Sequence, residues 1–117
     1  MTAHQLCVKR VYEPVTGADG TRVLVDRVWP RGVTKARAAV DVWLRDIAPS
    51  VGLRTWFGHD PARWQEFRAR YRGELQSKPT EVAQIRDLMS AGTVTLLFAA
   101  HDQERNNAVA LAEYLRT

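Results

Sequence analysis

Cysteine is almost absent from this chain of 117 residues, with Cys7 the single instance. No disulfide can close within the chain, and no cysteine cluster is available to hold zinc. Lysine is scarce as well: only Lys9, Lys35 and Lys78 stand among 17 basic residues. The longest apolar run, residues 94–100, falls far short of the roughly 20 residues a membrane span needs. Residues 1–8 are polar and carry no apolar signal core, so a reducing cytosol is the expected compartment. Neither a Gly-x-Gly-x-x-Gly fingerprint nor a Walker pattern occurs, which argues against a nucleotide held in either of those ways. No repeat, linker or low-complexity tract interrupts the chain. One domain over residues 1–117 is expected, with only the first few residues resembling disordered chain.

What is present is arginine. The net charge is +4. Guanidinium forks bind phosphates and carboxylates bidentately, so the excess suits an anionic partner. A GC-rich genome would produce the same bias with no function attached, and net charge alone is a weak guide. A composition 45% hydrophobic and 26% charged is that of a globular chain.

Residues 6–12 are β-rich. Residues 22–29 carry Val23-Leu24-Val25, an apolar triplet suited to a strand buried on both faces. Thr34 caps a short helix ending near Ala39. Residues 40–48 could extend that helix, but they also alternate at period two, and the favoured reading is a strand closed by Pro49. Ser50 caps a helix over residues 51–57. Asp60-Pro61 starts a long helix to about Gln76, with Trp64, Phe67, Tyr71 and Leu75 on one stripe. Thr80 is the expected cap of the next helix, which ends at Gly92. Residues 93–100 form the clearest strand, and Asp102 is the expected cap of a last helix. Alternating strands and helices predict a three-layer α/β fold: a small, mostly parallel sheet of about four strands flanked by helices. The link over residues 13–21 is short for a parallel crossover, and a hairpin between the first two strands competes with it.

In open α/β sheets ligands bind beyond the carboxyl ends of the strands. Three polar loops are expected there. Asp26-Arg27-Val28-Trp29-Pro30-Arg31-Gly32 offers two guanidinium groups on a rigid turn. His59 precedes the long helix, and His101-Asp102 follows the last strand. Asn107 stands at a helix start, where free N–H groups and the dipole favour anions. On this reading Arg27, Arg31, Trp29, Asp102 and Asn107 bind the substrate. His59, His101 and Asp26 are the candidate acid–base groups. The two His-Asp dipeptides invite a metal reading, but both aspartates look like helix caps, and no metal or cofactor is expected. Trp29 and Trp56 are placed to line a pocket, whereas Trp43 and Trp64 look like core. Cys7 reads as buried packing.

The runs Arg22-Val-Leu-Val-Asp-Arg-Val-Trp-Pro-Arg-Gly32, Ala48-Pro-Ser50 and Leu53-Arg-Thr-Trp-Phe-Gly-His-Asp60 resemble the YeaO-like branch of the large bacterial family called domain of unknown function 488. So do Trp64, Phe67, Tyr71, Glu74-Leu75, Thr95-Leu-Leu-Phe-Ala99, Asp102, Asn107 and Ala108. The likeness runs from about Val8 to Leu115. It implies a three-layer α/β fold with parallel strands, and no established activity. Larger relatives carry Cys-His-Arg after the last strand. This chain has Arg105-Asn106-Asn107 there, so no role of that thiol or imidazole carries over.

The favoured expectation is therefore an uncharacterised cytosolic α/β protein with an anion site, for phosphate or carboxylate, and scope for a small enzyme. The first alternative is a nucleic-acid accessory protein using the basic face of Arg63, Arg68, Arg70 and Arg72. The second is a protein-interaction module with Trp56 and Phe57 as an exposed apolar patch. No membrane partner is expected, and the oligomeric state is left open.

Overall fold

The computed structural model describes residues 5–117, so the disorder expected of the first few residues lies outside it. Four strands form one sheet: β1 (Leu6–Arg10), β2 (Thr21–Leu24), β3 (Val42–Trp43) and β4 (Val94–Phe98). Their order is β1-β4-β2-β3, and each neighbouring pair is parallel. β4 sits centrally and is buried along its length, as its unbroken apolar run requires of a strand covered on both faces. β1 and β2 are therefore neither a hairpin nor neighbours. β4 lies between them, in register with Leu6 on one side and Thr21 on the other.

The short link between β1 and β2 manages this parallel return with a single 3-10 turn, Gly17–Asp19, in place of a helix. Gly20 then passes close under β4 at φ 64°. A Cβ there would lie 2.2 Å from the Thr93 carbonyl oxygen, so only glycine fits.

The two faces of the sheet are covered unequally. Four helices, α2 (Val51–Phe57), α3 (Trp64–Gln76), α4 (Pro79–Ala91) and α5 (Asn107–Leu115), contribute to the main core. There Val23, Val25, Val94, Leu96 and Phe98 meet Phe57, Phe67, Tyr71, Ile85 and Leu111. The rings of Phe57 and Phe67 stack at 4.4 Å, and Tyr71 follows at 5.9 Å. The buried Tyr71 hydroxyl donates to the Ile47 carbonyl at 2.7 Å, and burial pushes its pKa up. The opposite face carries a small cluster of Val11, Leu24, Ala38 and Leu97. It is covered by the single turn α1 (Lys35–Ala38), by Trp29 from the loop after β2 and by Trp43 of β3.

Helix starts follow the caps where the side chain reaches the free amides. Thr34, Ser50 and Asp60 accept from Arg37, Leu53 and Ala62 respectively. Two expected caps are displaced. α4 begins at Pro79, ahead of Thr80, because proline has the helical φ and no N–H to satisfy. α5 is capped by Asn106, which accepts from Val109 N–H. Asp102 instead holds the preceding turn, accepting from the Glu104 and Arg105 amides. These two backbone hydrogen bonds hold its carboxyl below the usual range.

The strand expected over residues 40–48 shrinks to β3. Beyond Trp43 a 3-10 turn, Arg45–Ile47, buries Ile47 and Ala48 in place of extending the edge. Cys7 is half-buried on edge strand β1. No helix among the described residues is long and apolar enough to cross a membrane.

At the amino end of β2 a polar cluster closes on itself. Arg22, 2% exposed, donates from Nη1 to Asp19 Oδ2 at 2.5 Å and from Nη2 to the Ala38 carbonyl at 2.9 Å. Its Nε reaches the Ala38 and Ala39 carbonyls. Lys9 Nζ meets the other Asp19 oxygen at 3.1 Å. Burial alone would raise the Asp19 pKa. Hydrogen bonds from the Thr16 amide and hydroxyl, Lys9 and Arg22 outweigh it and hold the carboxyl well below the usual range.

Candidate functional site

At the carboxyl end of the same strand the chain opens a hollow of about 600 Å³. Asp26 closes its sheet side. Oδ2 accepts from the Ala99 amide at 2.9 Å, tying β2 to the end of β4. Oδ1 accepts from Asn107 Nδ2 at 3.0 Å, and the same amide group donates to the Val25 carbonyl at 3.1 Å. Burial raises the Asp26 pKa, against the hydrogen bonds from Asn107 and Ala99 and the nearby charge of Arg54.

Arg27 lies against the other wall. Its Nη2 donates to the Ala48 and Pro49 carbonyls, each at 3.2 Å. Its Nε–H is buried with no acceptor, the one such side-chain atom among the described residues. Leaving a charged donor buried and unmatched costs about 1–3 kcal/mol or more, so an orphan of this kind calls for an explanation. Arg54, one turn into α2, and Arg31, on the turn after Pro30, also line the hollow. None of the three forms an ion pair with a described residue.

The loop after Asp26 folds across the top of the sheet. Trp29 Nε1 donates to the Val33 carbonyl at 2.8 Å, and its ring meets Trp43 edge-on at 5.5 Å. Trp43 Nε1 in turn donates to the Asp26 carbonyl at 2.8 Å. The Tyr12 hydroxyl pins the far side by donating to the Arg31 carbonyl at 2.9 Å. On the rim, His59 sits at φ 58°, a left-handed conformation that non-glycine residues seldom adopt. Arg10 anchors the end of β4, donating to the Ala99 and Ala100 carbonyls, and its Nη2 lies 3.3 Å from His101 Nδ1.

The hollow thus gathers Asp26, Arg27, Trp29, Arg31, His59, His101 and Asn107 from segments far apart in sequence. Asp102 does not line it, because its carboxylate faces its own turn. Asn107 lines it, yet both amide hydrogens are committed to Val25 and Asp26, so it positions Asp26 and has no hydrogen free for a guest. Asp26 likewise uses both oxygens as acceptors inside the protein. Arg54, Tyr12 and Arg10 escaped the sequence reading. Arg54 looked like any exposed helix residue. Only its place one turn after the Ala48-Pro49 bend, beside the Asp26 loop, marks it out.

The alternative surfaces look different. On α3 and the turn before it, Arg68 pairs with Glu113 at 2.7 Å, Arg70 with Glu66, and Arg63 with Asp60 at 3.8 Å. Arg72 lies over the Tyr114 ring. The expected patch of Trp56 and Phe57 is not exposed: Phe57 is 5% exposed, and Trp56 is half-buried beneath Arg63 and Arg70. Trp56 is also absent from the hollow. No group of three or more His, Cys, Asp or Glu among the described residues is arranged to hold a metal ion.

Residues 5–117 match a family described as the inactive DUF488-N3 subclade. An uncharacterised protein of Mycobacterium tuberculosis strain H37Rv is 43% identical over 108 residues, covering 92% of this chain and 91% of that protein. The uncharacterised protein YeaO of Escherichia coli K12 is 39% identical over 109 residues, covering 93% and 95%. No solved structure matches the chain. The chain belongs to the DUF488 family and is a YeaO-like member of it.

Proposed function

We propose that this DUF488 protein is a cytosolic binding domain for a small oxyanion, a phosphate or carboxylate, held at the carboxyl ends of β2 and β4 without turnover. One observation carries the proposal: Arg27 keeps a buried Nε–H with no acceptor, in a hollow that holds two further arginines without carboxylate partners. An oxyanion supplies the missing acceptor and the missing charge together. Arg54 and Arg31 add charge, and His59 and His101 add donors at the rim. The engagement of both Asp26 oxygens supports an orienting role for that carboxylate in place of a base. The family description, an inactive subclade, supports binding without catalysis.

Thermal unfolding in low salt, with phosphate, sulfate or acetate titrated in, tests the reading. Saturating anion should stabilise the fold by about 2.7 kcal/mol at a hundred times its Kd. Arg27→Met should abolish most of that shift. If no oxyanion raises the Tm, or the shift survives in Arg27→Met, the proposal fails.

A further inference from the structure

The hollow is larger and more apolar than a bare anion needs. Its volume of about 600 Å³ lies in the range of sites that enclose organic molecules. Beneath the polar groups, Phe57 and Phe67 form part of its lining. At its mouth stand Val28, 60% exposed, and Tyr12, 42% exposed, two of the large apolar side chains the described residues leave open to water. Tyr12 is held in place, its hydroxyl tied to Arg31 and one face of its ring under Arg10 at 4.6 Å, and Val28 precedes Trp29, whose indole is anchored on Val33. Exposed apolar surface beside guanidinium groups without carboxylate partners is matched by a ligand with two ends of different character.

We infer that the ligand is an organic oxyanion: a carboxylate or phosphate attached to an apolar, preferably flat, body. The oxyanion end meets Arg27 and Arg54, and the body covers Val28 and the part of the Tyr12 ring that Arg10 leaves open. This inference rests on the anion reading above and narrows it to a ligand class. Carboxylate and phosphate share the recognition chemistry, so both head groups enter the test.

Calorimetric titration of the full chain with benzoate, phenyl phosphate, acetate, inorganic phosphate and benzyl alcohol separates the possibilities. One or both of the aryl anions should bind about tenfold or more tighter than the bare anion with the same head group, the factor that covering a few CH₂ equivalents supplies. The stronger of the two identifies the head group. Val28→Ser should weaken the aryl anion several-fold and leave the bare anion unchanged, and Arg27→Met should weaken both. A circular dichroism spectrum and Tm unchanged in Val28→Ser keep a folding defect from imitating this pattern. Bare anions that bind as tightly as aryl anions, with Val28→Ser silent, would overturn this inference and leave the anion reading intact. Benzyl alcohol binding as well as benzoate, or no binding by any of the five, would overturn both.

Discussion

Arg22 at the amino end of β2 and Arg27 just beyond its carboxyl end are both arginines taken largely out of water, and they end in opposite states. Arg22 meets a carboxylate and two backbone carbonyls, so its charge and its forked donors are matched inside the fold. Arg27 has two carbonyls on one nitrogen, no carboxylate and an orphan Nε–H. The aspartates differ in the same sense. Asp19 is held ionised by a lysine, an arginine and Thr16, while burial makes Asp26 harder to ionise. A buried charge that is fully matched belongs to the architecture. One left incomplete beside an open hollow is a place for a guest.

The largest effect expected from this contrast is at the closed end. Asp19→Ala strands Arg22 and Lys9 together and should destabilise the protein by about 3–5 kcal/mol in urea unfolding. A loss under about 1 kcal/mol would mean that the cluster is not the anchor described. Gly20→Ala, next to it, should cost at least the roughly 1–3 kcal/mol of a forced left-handed residue, plus its collision with Thr93.

Stability against pH should then separate the two aspartates by sign. Asp19 has a depressed native pKa, so its contribution is present above the ordinary carboxylate value of about 3.9 and is lost as pH falls below it. Asp26 has a raised native pKa, and the native state holds its proton more tightly than the unfolded chain does. Its contribution therefore declines as pH rises from about 3.9 through that raised value. Urea midpoints across acid pH should show the Asp26 slope vanish in Asp26→Asn while the Asp19 slope persists. Identical profiles in the two proteins would contradict the assignment. The smallest stability change is expected at the open end. Arg27→Met should shift unfolding by less than about 1 kcal/mol, because it removes an unmatched donor, and the Ala48 carbonyl keeps Lys78.

The sequence made the strands, the parallel sheet and most helix starts legible, because apolar runs and capping residues act locally. It misplaced Asp102 and Thr80 because cap preference says which residue types can accept, while Asn106 and Pro79 were equally eligible neighbours. It left the β1–β2 link open between a parallel return and a hairpin, because a strand inserted between them from far downstream leaves no mark on the short link. Asp26, Arg27 and Arg31 stood out as polar residues on a turn after an apolar triplet. Arg54 and the Asp19–Arg22 cluster did not. The place of Arg54 on the hollow and the burial of Asp19 and Arg22 depend on long-range folding, and a charged residue in a helix or at a strand start looks the same whether it faces water, a hollow or a carboxylate.

The most direct test is to watch the Arg27 Nε–H itself by ¹H–¹⁵N NMR, assigning its signal by its disappearance in Arg27→Lys. In the free protein this resonance should report a donor without an acceptor, and it should move downfield saturably as phosphate, benzoate or phenyl phosphate is added. A signal already shifted as in a formed hydrogen bond, and indifferent to every anion tried, would contradict the account.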